Sequence, residues 1–141
     1  MYSHILVTVA YDAGHDAEPS LQVARTLLAP GGQITLIHVM EQAPVFALNY
    51  LPEGWHEDLR HAIETDLMEL ASSFDNVSVI VSEGDAAHEV LEQAQAQGVD
   101  CIVIASHRPG SKGFLLGSTA TKVVARSQCA VHVARRPETP A

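Results

Sequence analysis

Much of what would tie a chain to a membrane, a metal or a nucleic acid is missing from this sequence. No apolar run approaches the roughly 20 residues that a membrane span needs. The opening stretch MYSHILVTVAYDAGHD has neither the charged head nor the small-residue cleavage site of an export signal, so a cytoplasmic protein is expected. Cysteine occurs twice, at 101 and 129, each at the start of an apolar run and with no C-x-x-C pairing. Buried free thiols are expected there, and no zinc site. Eight basic side chains stand against 17 acidic ones, for a net charge of −9. That excess argues against general affinity for the nucleic-acid backbone. Two phosphate-binding signatures are also absent. Gly117-Ser118 lacks the lysine of G-x-x-x-x-G-K-[ST], and no G-x-G-x-x-G follows the first apolar run.

What is present is a regular alternation. At 141 residues and 47% hydrophobic, the chain can bury one core. A single domain over 1–136 is expected, with 137–141 as a disordered tail. Nearly continuous apolar runs at 4–10, 34–40, 77–81, 101–105 and 129–134 read as strands covered on both faces. Between them lie helical patterns: Leu21, Ala24 and Leu28 after Pro19; Leu59, Ile63, Leu67, Leu70 and Phe74; Ala87, Val90, Leu91 and Ala94; Ala120, Val123 and Val124. Ala29-Pro30-Gly31-Gly32 is expected to stop the first helix. The 41–54 stretch, with Pro44, Pro52 and Gly54, reads as a long connection, and Phe46, Tyr50 and Trp55 make it a candidate lid or partner surface. The order βαβαβαβαβ demands parallel strands joined by right-handed crossovers, with four helices on both faces of an open, doubly wound five-stranded α/β sheet. In such sheets a ligand sits outside the carboxyl ends of the strands where their order reverses, which singles out Tyr11-Asp12, Val39-Met40 and the loop after Ala105.

That last loop lies within residues 104–124, IASHRPGSKGFLLGSTATKVV, and gathers glycine and positive charge. Residues 1–100 hold 16 acids and two basic side chains, a net −14, whereas 101–141 hold six basic side chains and one acid, a net +5. A helix opening at Gly117-Ser118-Thr119 would offer unpaired N–H groups and two hydroxyls to a phosphate. Arg108 has the planar fork that matches a phosphate, and Gly110, Gly113 and Gly117 allow close backbone approach. The alternative is that Ser118 is an ordinary helix cap and the glycines only shape a turn.

Over residues 3–134 the chain resembles the universal stress protein family. The family's nucleotide loop follows the fourth strand as glycine, two residues, glycine, nine residues, glycine and Ser or Thr. The matching stretch here is Ala105-Ser106-His107-Arg108, eight residues, then Gly117-Ser118. Residues 34–39, the Gly84 turn and residues 129–133 also look like that family's second strand, third-strand exit and fifth strand. The resemblance implies a Rossmann-like sheet of order 3-2-1-4-5, of the adenine nucleotide alpha hydrolase-like kind. It also implies a pocket for ATP or AMP and a homodimer formed through the last strand, Ala130–Ala134. Transferred residue by residue, it puts the backbone of Val39 on adenine and Ala105 by the ribose. His107, Arg108, Gly117, Ser118 and Thr119 fall on the phosphates, with Ser106 and Gly110 in the same loop. The family's first strand commonly ends Pro-x-Asp. This chain has Thr8-Val9-Ala10 there, and Asp12 is expected to fill that role through a small insertion; the alternative is a solvated turn residue. His38 and His132, on apolar strands, are expected to be satisfied structural residues.

These features point to a nucleotide-dependent regulatory dimer in a stress response, acting on a further protein partner that the sequence does not name. The alternatives are a family member that has lost nucleotide binding and acts only as an interaction module, since Ala105 and Arg108 replace motif glycines, or a slow ATP-hydrolysing enzyme. No general base, nucleophile or metal cluster stands beside the loop in the sequence, so no catalytic residue is assigned. Mg²⁺ arriving with the nucleotide is compatible with that, because it needs few protein ligands.

Overall fold

The computed structural model describes residues 1–10, 17–106 and 116–135. Within them the apolar runs form five strands and the helical patterns four α-helices. In chain order these are β1 (Tyr2–Thr8), α1 (Glu18–Leu27), β2 (Leu28–Met40), α2 (Trp55–Ala71), β3 (Val77–Glu83), α3 (Ala86–Ala96), β4 (Cys101–Ala105), α4 (Ser118–Arg126) and β5 (Ala130–Ala134). A short 3-10 helix, Val45–Tyr50, lies in the connection between β2 and α2. All strand pairs are parallel, and the sheet order is β3-β2-β1-β4-β5. This is the doubly wound sheet in the expected order.

The two faces of the sheet build two cores. On one, Ile5, Val7, Ile34 and Leu36 pack with Leu21 and Ala24 of α1 and Ile63 and Leu67 of α2. On the other, Leu6, Ile37, Ile102 and Ile104 pack with Ala87, Val90 and Ala94 of α3 and Ala120 and Val123 of α4. Central β1 feeds both, and Ile5, Leu6 and Val7 are each 0% exposed. That explains why its sequence is apolar without alternation.

Four local features differ from the sequence pattern. β2 starts at Leu28, because Tyr2 pairs with Leu28 while His4 pairs with Gln33; three extra residues are looped out between those pairs. Gly31 turns there with φ +78, and a Cβ on Gly32 would sit 2.7 Å from Leu28 Cδ1, so the Gly-Gly pair shapes an irregular strand entry instead of separating two elements. α2 begins at Trp55, after Gly54 at φ +79, and buries its apolar stripe only from Ile63 on, leaving Leu59 exposed. His132 is exposed on β5, unlike His38, and Cys129 is only half-buried. Cys101 is buried as expected, and burial, together with nearby Cys129 and Asp100, pushes its thiol up to about 11, keeping it protonated and unreactive.

The amino edge of the sheet, opposite the strand exits, is held by polar contacts. The Asp100 carboxylate accepts from the backbone N–H of Ser3 (2.8 Å) and of His4 (2.9 Å). Burial works against its charge, but these donors outweigh it and hold the carboxyl below its ordinary range. His4 Nε2 meets buried Thr35 Oγ1 at 2.7 Å, and Thr35 Oγ1 lies 3.3 Å from Ser78 Oγ, a row spanning β1, β2 and β3. Thr35 thereby avoids the cost of an unpaired buried hydroxyl.

Candidate functional site

Strand order reverses between β1 and β4. Val7 pairs with Leu36 on one side and with Val103 on the other, so the ends of β2 and β4 flank the exit of β1 at one edge of the sheet. Backbone and side chain both fix that exit. Val9 N–H donates to Ile37 O (2.8 Å), and the His38 ring donates from Nδ1–H to Val9 O (2.7 Å). His38 is thus a satisfied structural residue, as expected, and its ring anchors the chain where it leaves β1. The sequence signal for this was a lone imidazole in an otherwise apolar strand end. Its partner, a backbone carbonyl on another strand, has no sequence signature.

On the β2 side, half-buried Val39 pairs with Ser82 of β3, and Met40 O accepts from Gly84 N–H (3.0 Å). Gly84 has φ +135, a conformation that L side chains rarely adopt, and so lets the chain turn from β3 into α3 beside Val39. Asp85 caps α3 by accepting from His88 N–H, and Ser82 Oγ–H donates to the Glu89 carboxylate.

On the β4 side, Ala105 pairs with Ala134, and buried Ser106 donates its N–H to Ala134 O (3.0 Å). Gly117 N–H donates to Ser106 O at 2.7 Å. This bond pins the two ends of the glycine- and cation-rich loop together at the sheet edge. α4 starts directly after it, and its N-cap is Gly117, not Ser118. The alternative in which Ser118 serves as an ordinary cap is thereby corrected: Ser118 is the first helical residue, and the capping position has no side-chain acceptor. The first turn is set instead by Thr121, whose N–H and hydroxyl both reach Gly117 O at 2.9 Å. No acidic residue lies in that turn, so no carboxylate of its own offsets the partial positive charge of the helix start. Thr119 is half-buried in the same turn.

Of the sequence-predicted site residues, Val39, Ala105, Ser106, Gly117, Ser118 and Thr119 are therefore found along one edge, at the ends of β2 and β4 and the start of α4. Asp12, His107, Arg108 and Gly110 lie outside the described residues. Ala105 stands in a regular strand pair, a position that asks for no glycine. Among the described residues, one trio of metal-ligand type, His88, Glu89 and Glu92, occurs on the surface of α3, where His88 already pairs with Glu92 at 3.1 Å.

A family model for universal stress proteins matches residues 1–135. The chain belongs to the universal stress protein family. Universal stress protein A homolog 2 of Coxiella burnetii is 35% identical over 141 residues, covering 95% of each chain. The fold is also that of universal stress protein UspA from Lactobacillus plantarum, at TM-score 0.73 and 22% identity over 95% of this chain and 98% of that one. A universal stress protein family member from Arabidopsis thaliana, solved with AMP bound, superposes at TM-score 0.66 with 16% identity, over 99% of this chain and 97% of that one.

One titrating contact of this universal stress protein borders the site. His56, at the start of α2, places Nε2 2.8 Å from Glu83 Oε1 at the end of β3, with Glu57 at 3.6 Å from Nδ1. The hydrogen bond to Glu83 raises the imidazole above 6.5, burial opposing it and the Glu57 carboxylate adding to it. The folded-state value being raised, the charge-assisted part of this contact is fully present below the ordinary value and is lost as pH rises through the raised one. An NMR titration is expected to give His56 a midpoint above 6.5, and Glu83→Gln to bring it down; a midpoint unchanged by the substitution would mean that Glu83 does not hold the imidazole's charge.

Proposed function

We propose that this protein binds ATP or AMP at the strand-exit edge and works as a nucleotide-dependent regulatory dimer in a cytoplasmic stress response. The observation that carries the reading is the loop pinned by the Gly117–Ser106 bond and opening onto an α4 start with no capping side chain. A phosphate fits that start: the N–H groups of the first turn and the hydroxyls of Ser118 and Thr119 are its natural donors, with His107 and Arg108 of the loop, alongside Gly110, supplying charge and room. The Val39 backbone would meet the adenine and Ala105 the ribose, with Asp12 at the β1 exit on the nucleoside. The AMP bound by the Arabidopsis relative supports the choice of adenine. Mg²⁺ would enter with the nucleotide and neutralise its phosphate charge. Isothermal titration with ATP and Mg²⁺ tests the reading: saturable heat with one nucleotide per chain is expected. No heat and no thermal shift at millimolar nucleotide would leave a pure interaction module in its place.

For the dimer, the two sheet edges differ. On β3, Arg60 of α2 donates from Nη2 to Val81 O (2.9 Å), which occupies one carbonyl of that edge, and His56 engages the Glu83 side chain. On β5, Ala130 and His132 are exposed and Val131 and Val133 half-buried, and no described element pairs beyond it. Edge pairing of two copies through β5 would cover this strand. His132→Glu, at an exposed position of β5, is expected to convert the dimer to monomer in analytical ultracentrifugation with the circular dichroism unchanged; a variant still dimeric would place the interface elsewhere.

A further inference from the structure

The Val45–Tyr50 3-10 helix carries large apolar side chains without burying them. None of its six residues is buried. Val45, Phe46 and Tyr50 are 83%, 78% and 87% exposed, and Leu48 is exposed as well. A protein surface tolerates scattered apolar residues, but four exposed within one six-residue element concentrate apolar surface in the way that marks a contact site. Such short 3-10 segments gain little from their own hydrogen bonds. That apolar surface is therefore open to a contact.

The charge of the flanking sequence narrows the occupant. The helix itself holds no charged residue, whereas Glu41 precedes it and Glu53, Glu57 and Asp58 follow it, Glu57 lying 3.6 Å from His56. No lysine or arginine occurs from 41 to 59. The next cation, Arg60, is turned to Val81 O and Glu64. An anionic lipid surface, a nucleic acid or the same patch on a second copy would all bring like charge to this frame.

We propose that the Val45–Tyr50 helix docks a segment of a partner protein in which Lys or Arg residues flank apolar side chains. Phe46 and Tyr50 are its anchors, since aromatic side chains gain most when a contact desolvates them. The acidic frame selects the basic flanks and speeds encounter. The inference rests on this surface and not on nucleotide binding, so either reading can fail without the other.

A random peptide library displayed on phage and selected against the full chain is the test. Enriched peptides are expected to carry apolar residues between Lys or Arg. Binding of the synthetic consensus peptide is expected to fall at least about tenfold in Phe46→Ser and in Tyr50→Ser and to weaken as salt is raised, with ATP affinity and thermal melting unchanged. No enrichment, an acidic or uncharged consensus, or binding indifferent to both substitutions overturns the proposal. Three further results also overturn it: loss of self-association in the two variants would assign the patch to a second copy, loss of binding to phosphatidylglycerol vesicles would assign it to a membrane, and loss of ATP affinity would make it a lid.

Discussion

Replacing Arg108 with Ala is expected to weaken ATP about tenfold to a hundredfold while leaving adenosine within about a factor of two. A charge-assisted hydrogen bond to a phosphate contributes about 1.5–3 kcal/mol, and each 1.4 kcal/mol is about a factor of ten. Adenosine has no phosphate and so does not register the loss. The residue follows Ser106 by two positions, inside the loop whose ends the Gly117–Ser106 bond closes. Arg108 would take the place of a motif glycine, supplying charge where the usual loop supplies backbone N–H groups. Parallel titrations of ATP and adenosine separate the cases. Equal weakening of both would mean that the substitution disturbs the loop as a whole.

Leu6→Ala is expected to cost about 2–5 kcal/mol of folding free energy, read from urea or guanidinium midpoints. Leu6 is completely buried at the centre of the sheet, on the face covered by α3 and α4. Its neighbours on the paired strands, Thr35 and Ile102, are held in register on both sides, so the backbone cannot collapse into the space left behind. Domains of this kind are stable by about 5–15 kcal/mol, so the loss is a large share of the total. A change below about 1 kcal/mol would mean that the two cores relax far more easily than their packing implies.

The elements of this fold were largely legible because their causes are local. Doubly covered strands write continuous apolar runs such as 4–10 and 101–105, and α2 writes Ile63 and Leu67 four residues apart. The strand order was available through family resemblance, since nothing in spacing alone tells β2 from β4 as the neighbour of β1. Contacts that depend on two distant backbones were not legible: the Gly117–Ser106 bond, the His38 bond to Val9 O and the Arg60 bond to Val81 O. Local preference also misplaced details where tertiary pairing won. Gly31-Gly32 looked like a clean boundary, but the Tyr2–Leu28 pair draws the chain into the sheet before it. Ser118 looked like a cap by residue type, but the capping position falls one residue earlier, at Gly117. The glycines and cations of one loop marked the candidate site in the sequence, and of these Arg108 and Gly110 lie outside the described residues. What the structure adds is the closed loop base and the uncapped helix start onto which that loop opens.

An adenine nucleotide bound as proposed would lie across the strand exits with its phosphates at the start of α4. A crystal grown without added ligand, and a second grown with ATP and Mg²⁺, test it most directly. The account predicts adenine density against the Val39 backbone and phosphate density over Gly117, Ser118 and Thr119, in the second crystal at least. Empty strand exits at saturating ATP, or nucleotide seated elsewhere on the chain, would contradict it.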